Sequence, residues 1–530
     1  MPQQARTLSL RGSLTLCALS GALLFLCFPP VGWWPLAWVA LLPWLVSVRM
    51  SSRLGTAVGS WLAGFVFFGG LLYWLYLFGV SVLLIVAVLL GLVMMVYGLL
   101  ARWVGRLAWA PRMLGAATLW CGVEWARGLG QYGFTWGWLA YSQSPALPVL
   151  SVARLAGGLG LSFLIVLCNS AVAEAVVAVV RRSSAGVAVA RGVAGCAVVG
   201  VLLVGAHFWA RRHPVAGETT IRAAVVQGST HGPLRAEQVN VPLTYAEQRQ
   251  SIARYVALTA EAAQQHPALV VWPESALPGT PEDDPWIATE VSGAAREAGA
   301  WLLAGGPYVD GRGRTANSAY LYSPTGNQIA RYDKVQLVPF GEYVPARKWL
   351  PLLSRYHVRE ENFAAGAVHT VLQAGTTALG PMICFESVFP TISWHLANRK
   401  AQVLVVITND AWFGRTAAAA QHQQIAVMRA VETGRWVVRA ASTGISSIIS
   451  PDGRVVARAG LFQPAVLTAD IQLVTAPQPG PRFGPAVAWG LMGLAIAFVI
   501  APAAAPRRRR KAREAQPKSR PPKRGTAGAR

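Results

Sequence analysis

The sequence is short of charge, and shortest of negative charge. Only 13% of its 530 residues are charged, with 23 Asp and Glu against 47 Lys and Arg. Lysine is scarce beside arginine, and residues 1–212 contain none. Their only acids are Glu124 and Glu174. Cysteine is scarce too: six in all, of which Cys384 alone lies between 213 and 480, so that region has no internal disulfide. No Cys-x-x-Cys or His-Glu-x-x-His occurs and the eight histidines are scattered, which argues against a metal site. The chain is 54% hydrophobic with a mean hydropathy of +0.40, which excludes general disorder.

A net charge of +24 would suit a nucleic-acid binder, but its distribution excludes a soluble one. Residues 1–212 carry 14 Arg against two acids, 213–480 carry a net +1, and 481–530 carry 12 basic groups against one acid. Charge is absent from Gly12 to Val48, Leu54 to Ala101, Gly192 to Ala210 and Phe483 to Pro506, and only Glu174 interrupts Leu155 to Val180. A span takes about 20 apolar residues. The first two runs each suit two helices, split at Pro29–Pro30 and near Gly79–Val80–Ser81. Further spans are expected at 155–180, 192–210 and 483–504, with a less apolar one at 110–126 that contains Arg112 and Glu124.

Cytoplasmic loops collect Lys and Arg. The clusters Arg6/Arg11, Arg49/Arg53, Arg102/Arg106/Arg112, Arg181/Arg182/Arg191 and Arg507–Lys511 share one side only if 110–126 spans. The expected protein is therefore polytopic and α-helical, with about eight spans and both termini cytoplasmic. Residues 1–212 form a membrane domain of about seven spans, 213–480 an inserted extracytoplasmic α/β domain, 481–506 the last span, and 507–530 a disordered basic tail. Glu124 and Glu174 are each expected to sit near a membrane face, to pair with Arg127 or Arg181, or to be solvated, rather than to relay protons.

Within 213–480, strand-like and helix-like stretches alternate, the pattern of an α/β layer fold. Reactive residues stand at three strand ends. Glu274 follows the buried strand Ala268–Trp272, Lys334 follows Gln328–Tyr332, and Cys384 ends Ala378–Cys384. A carboxylate beside a thiol can take its proton, and an ammonium can hold the oxyanion of a tetrahedral intermediate. A helix N-terminus and a neighbouring ammonium are expected to lower the Cys384 pKa.

The ordered set Trp272-Pro-Glu-Ser275, Tyr332-Asp-Lys334 and Ile383-Cys-Phe-Glu386 resembles the nitrilase (carbon–nitrogen hydrolase) superfamily, with its Glu-Lys-Cys triad. With the multi-span N-terminal region and the last span, the whole resembles the bacterial apolipoprotein N-acyltransferase family. Pro339–Pro345, Thr408–Gly414, Gln421–Gly434, Glu124–Arg127 and Gly158–Asn169 also fit it. The resemblance implies an αββα sandwich with Glu274 as proton acceptor, Lys334 as oxyanion stabiliser and Cys384 as nucleophile. It implies supporting roles for Glu342 and Glu386. It also implies acyl transfer from a membrane phospholipid, through a Cys thioester, to the N-terminal amine of the S-diacylglyceryl-cysteine of an apolipoprotein. The alternative is a membrane-tethered amidase with water as acceptor. No cofactor or nucleic acid is expected, and the chain is expected to act as a monomer. Phe385 stands where the family commonly has Tyr, and Gln227–Glu247 lacks the frequent Trp. Phe385, Trp412, Phe413 and Trp349 are the expected substrate contacts. Trp349–Leu353 is expected to dip into the membrane interface as an arm.

Overall fold

Each uncharged run becomes a helix or a helical pair, because in a bilayer only internal hydrogen bonds satisfy the backbone. A computed structural model describes residues 7–182, 185–229, 243–344 and 362–514, with side chains as far as 503. The first run forms α1 (Leu10–Leu26), then α2 (Ala37–Ala40) and α3 (Leu42–Met50). The second forms α4 (Arg53–Leu71) and α5 (Val80–Val104), parted by a short 3-10 turn and by Gly79 at φ 119°. There follow α6 (Trp109–Arg127), α7 (Leu147–Val180) and α8 (Ala185–Arg212). The α4, α5, α7 and α8 helices, with the Pro479–Ala503 stretch near the C-terminus, are long and apolar enough to cross a membrane. The apolar segments Leu10–Leu26 and Trp34–Met50 are shorter. The α6 helix is more polar, yet its 19 residues at 1.5 Å each reach about 28 Å.

The two ends of this bundle differ. At one end Arg49 donates to the Gly105 carbonyl, Arg181 to the Arg49 carbonyl and Arg102 to the Val48 carbonyl. Glu174 is paired there with Arg49 at 2.8 Å and with Arg112. Its partners are thus not Arg127 or Arg181: the α7 helix delivers Glu174 to the ends of α3 and α6, where two guanidinium groups converge. At the other end aromatic residues meet the α/β domain. Glu124 is buried near that end, so it is not solvated, and it accepts the Leu139 N–H at 2.6 Å and fastens a loop.

The α/β domain has β1 (Thr219–Gln227), α9 (Tyr245–Ala263), β2 (Leu269–Val271), α10 (Pro285–Ala298), β3 (Trp301–Val309), β4 (Thr315–Tyr322) and β5 (Gln328–Asp333). Its second half has β6 (Leu372–Ala374), β7 (Thr377–Ile383), α11 (Pro390–Asn398), β8 (Val403–Thr408), α12 (Ala418–Thr433), β9 (Trp436–Ala441), β10 (Ser447–Ile449), β11 (Val455–Arg458) and β12 (Ala465–Leu473). Two six-stranded sheets result, in the orders β12-β1-β2-β3-β4-β5 and β11-β10-β9-β8-β7-β6. Side-chain alternation sorts the strand residues. Ala223 and Val225 face the second sheet, against Leu379, Val405 and Val438. Ala224 and Val226 face α9 and α10. With α11 and α12 outside the second sheet, the layers are αββα. Antiparallel pairing of β1 with β12 sets Thr219 beside Leu473, so both links to the bundle leave from one edge.

The last helix, α13 (Pro479–Glu514), continues past the boundary drawn at 506. Trp349 and its Trp349–Leu353 arm lie outside the described residues, as does most of Gln227–Glu247.

The α12 helix joins the two parts. Almost every one of its residues is buried, which one sheet alone would not achieve. At its start Gln421 accepts from Trp136 Nε1 at 2.8 Å and donates to the carbonyls of Pro29 and Leu71. At its end Glu432 accepts the Gly158 N–H at 2.7 Å and pairs with Arg429 at 2.9 Å. That N–H is offered because α7 breaks at Gly157, whose φ of 67° suits glycine.

Candidate active site

Parallel strands β2 and β7 end on facing sheets, and the expected reactive residues follow them. The β7 strand is buried throughout, and the chain turns sharply at Cys384, which has φ 54°. A left-handed conformation at a non-glycine residue is costly and persists only where the surroundings enforce it. Here they do. Glu386 turns back to accept the Ile383 N–H at 2.7 Å, and Ser387 Oγ donates to the Cys384 carbonyl at 2.8 Å.

Glu274 is held from both sheets. Its Oε1 accepts from Asn317 Nδ2 on β4 at 2.6 Å, and its Oε2 accepts the Asn409 N–H after β8 at 2.6 Å. Lys334 is 1% exposed, with Nζ 2.9 Å from Glu342 Oε1 and 3.9 Å from Glu274 Oε1. Asn317 also donates to Glu342 at 3.0 Å, and the Val338 N–H reaches the other Glu342 oxygen at 2.8 Å. Glu342 therefore aligns the ammonium. Glu386 takes a different part: besides Ile383 it accepts from Tyr332 and from the N–H groups of Val335 and Gln336, tying the Lys334 segment to the cysteine turn.

Burial raises the Glu274 pKa, Lys334 opposes the rise and Glu342 adds to it. Burial also works against the Lys334 ammonium, but Glu342 and Glu274 overcome it and raise its pKa. The Cys384 pKa is raised, not lowered as expected. Burial is the main cause and the Glu274 charge the next, while Lys334 only partly offsets them. The expected helix N-terminus is also missing, because Cys384 opens a 3-10 turn and α11 starts only at Pro390. The resting group is a thiol, which needs a base at the moment of attack.

Behind the turn lies a polar chain not foreseen as part of the site. His422 Nε2 is 2.9 Å from Ser387 Oγ, and His422 Nδ1 is 3.1 Å from Arg439 Nη2. Asp410 pairs with Arg439 at 2.8 Å and also contacts His422 Nδ1 at 3.2 Å. Donor counting assigns the protons. Ser387 donates to Cys384, so it accepts from His422 Nε2–H. Burial, then Arg439, lowers the His422 pKa while Asp410 opposes them, and Nδ1 lies within reach of both Arg439 Nη2 and Asp410 Oδ1. Arg439 was legible as a lone charge in the apolar strand Val437–Ala441. Asn317 gave no signal.

The expected substrate contacts meet the bundle. Phe385 packs edge-on against Phe389 and stacks on Phe134. Phe413 meets Trp74 at 4.8 Å and Trp136 at 6.0 Å, and Trp412 stacks on Phe78. Phe385, beside Cys384, and Trp412 and Phe413 thus pack on aromatic residues of the membrane bundle and its loops.

An αββα sandwich that holds Glu274, Lys334 and Cys384 at strand ends, set on apolar helices, has the make-up of a carbon–nitrogen hydrolase domain carried by a membrane bundle. The family model described as carbon–nitrogen hydrolase matches residues 222–478, and that for the apolipoprotein N-acyltransferase N-terminal domain matches 20–171. Curated relatives bearing the name apolipoprotein N-acyltransferase include one from Geobacter metallireducens, 34% identical over 92% of this chain and 94% of its own. One from Ralstonia nicotianae is 32% identical over 93% and 94%. Among solved structures, an amidase from Nesterenkonia sp. is 22% identical, covers 51% of this chain and 94% of its own, and has a TM-score of 0.37. The chain belongs to the apolipoprotein N-acyltransferase family, and is an acyltransferase enzyme of the membrane.

Proposed function

We propose that Cys384, Glu274 and Lys334 carry out a two-step acyl transfer from a phospholipid to an apolipoprotein. The Cys384 sulfur attacks the ester carbonyl of a phospholipid acyl chain as Glu274 takes the thiol proton. Lys334 Nζ stabilises the oxyanion. The intermediate collapses with cleavage of the ester C–O bond. Glu274 returns the proton to the departing glycerol oxygen, giving a lysophospholipid and a thioacyl-enzyme. The α-amine of an S-diacylglyceryl-cysteine then attacks the thioester, Glu274 accepts the amine proton, and the departing thiolate of Cys384 recovers it. The enzyme ends as it began, with an amide on the acceptor.

The observation that carries this reading is the setting of the trio. Glu274 stands 3.9 Å from a buried Lys334 that Glu342 aligns, and Phe385, next to Cys384, packs on Phe134 of the bundle, an apolar setting suited to an acyl chain. The raised Cys384 pKa fits general-base attack in place of a standing thiolate. On this reading the α/β domain lies outside the cytoplasm with both termini inside, as the basic loops favour. On the same reading the enzyme works as a monomer. Mass spectrometry of lipoprotein N-termini, in cells with and without the protein, tests the reading. The N-acyl group is expected to vanish without it and to return with the wild type but not with Cys384→Ala. Full N-acylation restored by Cys384→Ala would refute the roles assigned.

A further inference from the structure

At the end of the bundle away from the α/β domain, a cleft of about 400 Å³ opens between α3, α4 and α5. Four of its lining residues are arginines: Arg49, Arg53, Arg102 and Arg106. No acid lines it. Arg49 is neutralised by Glu174, but among the described residues no ion pair reaches Arg53, Arg102 or Arg106. Three guanidinium groups facing one concavity repel one another unless an anion joins them.

The groups are arranged for an anion. Arg53 and Arg106 are exposed at the mouth, while Arg49 and Arg102 stand deeper and half-buried. The Val48 and Ser51 carbonyls fix the plane of the Arg102 guanidinium through one Nη. The Arg106 guanidinium carbon sits over the Trp103 ring at 4.0 Å, and the residue is exposed. Arg53 opens α4, so the partial positive charge of that helix end adds to its own. The remaining wall is apolar, with Val48, Leu99 and the Trp103 ring. A planar cationic fork suits a phosphate, and an apolar flank suits the glycerol and upper acyl chains.

We propose that this cleft binds the phosphate of an anionic phospholipid headgroup, in the leaflet opposite the α/β domain. Free phosphate shares the chemistry at the mouth, but the apolar wall favours a lipid. The site is distinct from Cys384: the 25-residue α5, about 37 Å long, runs from the aromatic end to the cleft. The inference does not rest on the acyl-transfer reading.

The test uses the full chain, stripped of lipid in a neutral detergent and followed by native mass spectrometry. Dioleoylphosphatidylglycerol, dioleoylphosphatidylcholine or inorganic phosphate is titrated in. The wild type is expected to retain one phosphatidylglycerol that phosphatidylcholine does not replace. The variant Arg53→Ala/Arg106→Ala is expected to bind it at least about tenfold more weakly, and Arg53→Lys/Arg106→Lys to fall between. The pair Arg182→Ala/Arg191→Ala removes the same charge outside the cleft and is expected to bind as the wild type does. Thermal midpoints without lipid, unchanged across the set, separate lost binding from lost fold. Equal retention by the Arg53/Arg106 alanine variant overturns the proposal, and so does equal loss in the Arg182/Arg191 pair. Displacement of the lipid by millimolar inorganic phosphate reassigns the site to free phosphate and overturns the lipid assignment.

Discussion

Glu274 has to be ionised to accept a proton, yet burial and the Glu342 charge both push its pKa up. The acid limb of kcat/KM is therefore expected above the ordinary carboxylate range, with activity lost as pH falls through it. Glu342→Gln removes a like charge and frees Lys334 to act on Glu274 alone, so the limb is expected to move to lower pH. A pH profile of the variant with a phospholipid donor checks this, and a limb that stays or rises would contradict it. Asp410 titrates the other way, held at about 2 mainly by Arg439 against the effect of burial. Because its folded value lies below the unfolded value of about 3.9, its stabilisation is complete above about pH 4 and is lost as pH falls toward 2. It amounts to about 2 to 3 kcal/mol, and Asp410→Asn also strands the buried Arg439. The gap in thermal midpoint between wild type and Asp410→Asn is expected to narrow from pH 5 to pH 2.5. The trio was legible because each member stands at the end of a strand with its own pattern. Asn317 was not, because an amide inside a strand looks alike whether it faces a carboxylate or solvent. The thiol pKa was misjudged for a related reason: sequence places charges along the chain but gives no measure of desolvation.

The α12 helix could be expected from its pattern, but its partner could not. A helix buried all round needs two surfaces, and nothing local says that the second is a membrane bundle. Its ends carry that information in Gln421 and Glu432, which reach the Pro29 and Leu71 carbonyls and the Gly158 N–H. Glu432→Ala leaves Arg429 buried and unpaired and the Gly158 N–H unsatisfied, a loss of about 3 to 5 kcal/mol. Thermal unfolding in detergent is expected to show a lowered midpoint, with lipid turnover falling together with it. Gly157→Ala is expected to destabilise as well, because its φ of 67° disfavours any Cβ and the new methyl would meet Trp394 at 3.1 Å. The alternation of strands and helices was legible, whereas short or half-exposed strands such as β6 and β11, and a late one such as β12, alternate too weakly to stand out from loops.

At the scale of the molecule, the charge of +24 describes an arrangement more than a partner. Most of the bundle's arginines gather at one end, while Arg127 and Arg154 stand toward the other, beyond which Glu274, Lys334 and Cys384 lie. The less apolar α6 fits this plan: it starts beside the Arg112–Glu174 pair and ends where Trp125 stacks on Trp394 of the α/β domain. Arg312→Cys, exposed on the α/β domain, is expected to react with a membrane-impermeant maleimide in intact spheroplasts, whereas Arg106→Cys is expected to react only after permeabilisation. Reversed labelling would invert the proposed orientation. The central claim is that Cys384 carries the acyl group between two lipids, and the most direct measurement is mass spectrometry of the enzyme after incubation with acyl-labelled phospholipid and no acceptor. The account predicts a labelled, hydroxylamine-labile acyl group on Cys384 that leaves as an amide when a diacylglyceryl-cysteine peptide is added. Labelled acyl-peptide formed with no acyl group ever held on Cys384 would contradict it.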